Sequence, residues 1–211
     1  MELFFSRNSG NSARAVFALL ESGAAWTPHP LDPRTGETRT PEYLALNPMG
    51  KIPTLRDGNF TLWESNAINF YVADKHPRSG LLPVAREQRA AVLRWQFFQT
   101  GHLTPACVTV FRATNARVQA FWKVPVDPAA VALARQELAR FLPVIDRALQ
   151  SDGREWLEGT FTLADLAHAP HLHLIAEGGF DFSPYPHLAA WLTRLLARPA
   201  WKETAALVFG D

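Results

Sequence analysis

Asn47-Pro48-Met49-Gly50-Lys51-Ile52-Pro53-Thr54-Leu55 is the stretch on which the reading of this chain turns. Pro53 stands just ahead of a strand-like run, where it cannot donate to a sheet ladder. Two readings fit that position. One is an ordinary loop entering a strand; the other is a cis Ile52–Pro53 bond that turns the Ile52 backbone toward a ligand. Downstream, Thr54-Leu55-Arg56, the turn Asp57-Gly58 and Phe60 to Trp63 form a hairpin pattern. A helix is expected from Ser65 to about Lys75, with Ala67, Ile68, Tyr71 and Val72 facing inward. Upstream, Thr40-Pro41-Glu42 reads as a helix start, Thr as cap and Pro at the first helical position. Before it come a strand near Trp26 to Pro30, a helix capped by Ser12 and stopped by Gly23, and a first strand over Glu2 to Phe5.

The order is therefore β-α-β-α-β-β-α, and the closing hairpin makes the sheet mixed. Residues 1–77 form this α/β domain. Residues 78–86, with Ser79-Gly80 and Pro83, read as a linker, and 87–211 as an all-helical domain. In that second half Val131, Leu138, Phe141, Leu142, Ile145 and Leu149 recur at helical spacing, as do Leu188, Trp191, Leu192, Leu195 and Leu196. Pro143 is expected to kink or shorten its helix. Thr162-Leu163-Ala164-Asp165 resembles a capping box and predicts the start of a buried helix.

Composition sets the outer bounds. The chain has 211 residues, 47% of them hydrophobic and 19% charged, a globular balance with little room for disorder. A net charge of +1 supplies no broad attraction for a phosphate backbone, so nucleic acid is excluded as a default partner. No apolar run approaches the roughly 20 residues that span a bilayer, so no membrane association is expected. The single cysteine, Cys107, makes no internal disulfide, in keeping with a reducing, cytoplasmic location. The N-terminus lacks the basic start and long apolar run of a signal peptide.

Trp63-Glu64-Ser65-Asn66-Ala67-Ile68 adds a second chemical feature. Ser65 stands at a helix N-terminus, where exposed amides and the helix dipole attract an anion, although a plain helix cap would look the same. The proline segment, the Glu-Ser helix start and the Thr162/Asp165 cap, in this order, resemble the glutathione transferase superfamily across the whole chain. The resemblance implies a thioredoxin-like N-terminal domain with an all-helical C-terminal domain, and a detoxification enzyme with glutathione as co-substrate and no metal. Carried over by position, Ile52, held by Pro53, pairs with the cysteinyl part of glutathione as an added strand would. Ser65 holds the γ-glutamyl carboxylate and Glu64 faces its ammonium. Lys51 meets the glycyl carboxylate, with Arg39 as a further cation.

An enzyme of this kind must ionise a thiol whose ordinary pKa is about 8.5. Classes that use tyrosine place it at the end of the first strand, where this chain has Phe4, Phe5 and Ser6; classes that use cysteine place it in the loop that follows. With Cys107 in the other half, the candidates are Ser9, Asn11 and Ser12 of Ser9-Gly10-Asn11-Ser12, a loop similar to that of serine- and asparagine-containing bacterial transferases. For the electrophile, Phe98, His102, Thr104, Cys107 and Phe111 are expected walls of an apolar acceptor site, closed by Phe5 and Arg7 near the first loop. His168, His171 and His173 read as helix histidines rather than metal ligands. Two functions follow: a transferase that directs the glutathione thiolate at a small, mostly apolar electrophile, with conjugation, isomerisation and peroxidase activity all open, or a non-catalytic interaction module of the same fold. The resemblance also implies a homodimer, through the helix beginning near Arg86 and the edge of the first domain.

Overall fold

The protein is described here by a computed structural model covering residues 1–123 and 125–210. Two compact units emerge: Met1–Leu82 with the chain from Pro199 onward, and Pro83–Arg198.

In the first unit, β1 (Glu2–Phe5), β2 (Thr27–Pro30), β3 (Thr54–Asp57) and β4 (Phe60–Trp63) form one sheet in the order β2-β1-β3-β4. β1 runs parallel to β2 and antiparallel to β3, and β3 runs antiparallel to β4, so the sheet is mixed as its strand order predicts. The β3–β4 turn is one residue later than expected, over Gly58-Asn59, because Asp57 still pairs with Phe60. Gly58 supplies the positive φ (59°) at the first central position.

α1 (Gly10–Ser22) lies against α3 (Ser65–Lys75), and α2 (Pro41–Leu46) is capped by the Thr40 hydroxyl, which accepts the Tyr43 amide. Leu3, Val16, Phe17, Leu55, Ile68 and Val72 are fully buried and make the core. α11 (Pro199–Phe209) packs on α1 through Trp201, whose ring meets Phe17 edge-on at 5.3 Å. The final helix thus joins the first unit instead of the helical domain read from sequence. Its buried Trp201, Val208 and Phe209 find their apolar partners there.

The second unit contains α4 (Arg86–Phe98), a π-helical turn (Gln99–Leu103), α5 (Thr104–Thr114), α6 (Ala116–Trp122), α7 (Pro128–Gln150), α8 (Leu163–Leu166), α9 (Ala169–Glu177) and α10 (Pro186–Leu196). α7 continues through Pro143 for 23 residues, so the proline does not shorten it. Ala134, Leu138, Leu142, Ile145 and Leu149 bury one continuous face, and that burial outweighs the lost backbone bond. The Thr162/Asp165 capping box forms with both reciprocal bonds. Asp165 also accepts the Leu157 amide and the Trp191 indole N–H, each at 2.9 Å. Burial pushes its carboxyl up to about 6 against those donors.

Candidate functional site

The loop after β1 is closed by its own serines. Ser9, not Ser12, caps α1: its hydroxyl accepts the Ser12 amide at 3.2 Å. Ser12 is fully buried, and its hydroxyl accepts the Ser6 amide at 3.1 Å. The expectation of Ser12 as helix cap is therefore corrected: it is the third residue of α1, and its hydroxyl ties the loop from below. Ser9 is half-buried and Asn11 exposed. Because the Ser9 oxygen accepts, its own proton remains available for donation. Among the described residues, the Gly10 and Asn11 amides take no protein partner, and the first turn of this 13-residue helix carries no acid. The Ser9 hydroxyl, the Asn11 carboxamide, two amides and the positive end of the dipole thus all belong to the start of α1, a combination of groups that can stabilise an anion.

The second element is the segment from Asn47 to Thr54. The Ile52–Pro53 bond is cis, and Pro53 is buried while Ile52 is half-exposed. A network that sequence reading missed holds this segment. The Lys51 carbonyl accepts from the Tyr43 hydroxyl (2.6 Å) and the Asn47 amide group (2.8 Å). Asn47 also donates to the Thr54 hydroxyl at 3.0 Å and accepts the Met49 amide at 3.0 Å. The Lys51 side chain is left exposed. Arg39 comes to the same segment, its guanidinium donating to the Met49 carbonyl at 3.3 Å. Gly50 fits here with φ 59°, where a Cβ would lie 2.9 Å from the Thr38 carbonyl oxygen.

The third element is the start of α3. Glu64 occupies the N-cap with φ 71°, a strained conformation for a residue with a side chain, and its carboxylate is exposed. Ser65 follows at the first helical position, largely buried. Its hydroxyl accepts from Arg14 of α1 at 2.7 Å. Arg14 is only 3% exposed. Burial pushes its guanidinium down to about 9 against the opposing charge of Glu64, so it stays charged at neutral pH. Asn69, fully buried, completes the joint. Oriented to suit its neighbours, its amide donates to the Ser65 and Arg14 carbonyls at 3.0 and 3.2 Å. Arg14 is a residue to which sequence reading gave no role; its signal was a lone basic residue among the apolar residues of α1.

The acceptor candidates fare differently. Phe5 is buried and packs edge-on against Trp26, and Phe111 is 6% exposed and packs against His171. Both are buried aromatic side chains. Cys107 is fully buried, with its thiol pushed well up by desolvation, which removes it as a nucleophile. His102 is exposed on the π-helical turn, beside Phe141 at 5.3 Å, and lines an open groove of about 330 Å³ with Ala106, Leu133 and Glu137.

The histidine cluster of α8–α9 is internal packing. His168 Nδ1 bonds the Ala164 carbonyl oxygen at 2.7 Å, and His173 faces Glu177 at 3.4 Å. Among the described residues no group of three or more potential ligands could hold a metal ion, and no helix is long and apolar enough to cross a membrane.

Family models for the glutathione S-transferase N-terminal and C-terminal domains match residues 1–74 and 107–199. Glutathione S-transferase F10 of Arabidopsis thaliana is 35% identical over 203 residues, covering 93% of this chain and 92% of that protein. A glutathione S-transferase-I structure with bound lactoylglutathione superposes with a TM-score of 0.85 at 29% identity, covering 98% of each chain. The transferase URE2P8 of Phanerochaete chrysosporium, solved with oxidized glutathione, gives 0.85 at 28% identity over 99% of this chain and 94% of its own. Neither the plant relative nor the fungal structure supports the bacterial serine/asparagine-loop subtype expected from the loop. With both domain models matched and this likeness running nearly end to end, the chain belongs to the glutathione S-transferase family.

Proposed function

We propose that this protein is a glutathione transferase that binds the tripeptide across the three elements of its first unit and ionises its thiol at the start of α1. The observation that carries this reading is the buried Arg14 beneath the Ser65 hydroxyl. The hydroxyl accepts from Arg14 and keeps its own proton to donate to the γ-glutamyl carboxylate. Glu64 takes the ammonium, the Ile52 backbone pairs with the cysteinyl unit, and Lys51 and Arg39 meet the glycyl carboxylate. That set supplies cationic or hydroxyl partners for both carboxylates and an anionic one for the ammonium. At the other end, Ser9 and Asn11 donate to the sulfur. The thiol loses its proton to solvent, and the thiolate forms a C–S bond at an electrophilic carbon of a small apolar substrate, as a leaving group departs with its bonding pair or, at an activated double bond, as the π pair moves to the neighbouring atom and is protonated by solvent. On the acceptor side, His102 beside Phe141 is the candidate kept.

A homodimer is part of the proposal. β4 is an edge strand that leaves Phe60 and Trp63 exposed, and Phe97 of α4 is 73% exposed. Exposed aromatic surface of this kind suits burial against a second copy. A cytoplasmic location, with no nucleic acid or membrane as partner, completes the reading.

The test is a calorimetric titration with glutathione, repeated on Ser65→Ala. Saturable binding that the variant weakens supports the proposal. No binding by the parent protein would transfer the case to the non-catalytic interaction module, and the search to protein partners. A protein that stays monomeric on sizing at high concentration would refute the dimer.

A further inference from the structure

We propose that the end of α11 is a positioning strap for the thiol-facing loop. The loop leaves β1 through Arg7 and Asn8, and Asn8 holds φ 55°, a left-handed conformation, just before the cap residue Ser9. That turn aims the N-terminus of α1. It is held from about 200 residues away in sequence: the Asn8 amide donates to the Val208 carbonyl at 2.9 Å, and the Arg7 guanidinium donates to the Gly210 carbonyl at 3.4 Å. The last carbonyls of a helix have no partners inside it, and the negative end of its dipole favours a cation. The end of α11 therefore offers acceptors where the loop presents an amide and an arginine. The strap is rigid because Trp201, Val208 and Phe209 are buried, with Trp201 against both Phe17 of α1 and Phe209. One face of α11 thus fixes the body of α1 while its end fixes the loop that leads into it.

This inference rests on the reading that Ser9 and Asn11 donate to the thiol. Arg7, Asn8 and the strap act through those residues and are positioning residues, not catalytic ones. The γ-glutamyl end of the site is set by Ser65 of α3 and by Arg14, which lies further along α1 and is fixed by its own bond to Ser65 rather than by the loop ahead of the helix.

The experiment compares full-length Gly210→Ala, Asn8→Ala and Asn8→Gly with the parent protein. A Cβ on Gly210 would collide with the Ala206 carbonyl oxygen, so that substitution must shift the end of α11 without touching the site. The readouts are kcat, the dissociation constant for glutathione, and the pKa of the bound thiol followed by thiolate absorbance. Gly210→Ala is expected to lower kcat about tenfold or more, toward the roughly hundredfold loss that a ~1 Å misplacement of catalytic groups can cause. It should also raise the bound thiol's pKa and leave glutathione affinity unchanged. Asn8→Ala, which resists positive φ, should move both quantities the same way, whereas Asn8→Gly should keep parental values. Parental kcat and thiol pKa in Gly210→Ala overturn the strap, as does a parallel loss of affinity and rate. If Gly210→Ala does not fold, the Asn8 pair decides by the same criteria. Ser9→Ala and Asn11→Ala run alongside. If neither changes the thiol pKa, the loop reading falls and the strap with it; if they do and Gly210→Ala does not, only the strap falls.

Discussion

The Arg14 guanidinium donates to the Ser65 hydroxyl at 2.7 Å, a buried bond between the first and third helices of the sheet domain, 51 residues apart. It joins the helix whose N-terminus faces the proposed thiol site to the one whose N-terminus faces the γ-glutamyl site. Arg14→Met keeps the apolar stem and removes the charge and its donor. It is expected to weaken glutathione binding tenfold or more, since hydrogen bonds to charged groups contribute about 1.5–3 kcal/mol. Calorimetry reads the affinity; unchanged affinity would show that the arginine only packs.

Ser9 and Asn11 separate by what else they do. Ser9→Ala removes a helix cap as well as a donor, so it is expected to lower stability by about 1 kcal/mol along with the turnover rate. Asn11→Ala removes an exposed side chain and should change turnover with little effect on melting temperature. Thermal melts beside steady-state kinetics distinguish the two. A Ser9→Ala protein with parental turnover would assign the thiol contact to Asn11.

Asn47 makes three bonds inside the proline segment, to Lys51, Thr54 and Met49. Asn47→Ala leaves the Met49 amide without its acceptor and takes one donor from the Lys51 carbonyl. The expected cost is about 2–3 kcal/mol in denaturant unfolding, with weaker glutathione binding because the Ile52 backbone loses its support. A variant as stable as the parent would show that Tyr43 alone holds the segment.

Glu177 titrates well below its ordinary value, at about 2. Burial opposes that shift, and bonds from His173 and Asn115 with the charges of His173 and Arg117 overcome it. Because the folded value is the lower one, the unfolded chain takes up the proton first as pH falls. The stability from this group is therefore complete above about pH 4.5 and lost progressively toward pH 2. Melting temperatures of the parent and Glu177→Gln should converge across that window. A gap that persists at pH 2 would mean the contribution is not electrostatic.

Much of the fold is legible locally because periodicity and capping are local. Thr40-Pro41 and Ser65 mark helix starts at the residues where α2 and α3 begin, and the Asp57-Gly58 signal finds its hairpin to within one residue. The same logic misplaces the start of α1. Ser9 and Ser12 are both acceptable caps, and the choice depends on which hydroxyl meets the Ser6 amide across the loop. The burial of Phe5 and Phe111 is not legible for a related reason: an aromatic residue near a site looks the same in sequence whether it faces the core or solvent.

The sequence by itself determined the order of elements, the mixed sheet, the proline segment ahead of β3, the serine at the head of α3, and the absence of tyrosine or cysteine from the first loop. These follow from residue types at fixed short spacing, where backbone geometry leaves few choices. Only the tertiary structure decided that Arg14 lies under Ser65, that Asn47 and Tyr43 share the Lys51 carbonyl, and that α11 returns to the first unit to hold Asn8. Each of those joins residues whose separation along the chain carries no period. They form because a buried charge, a buried amide or an apolar helix face must find a partner, and only packing in three dimensions determines which partner is within reach.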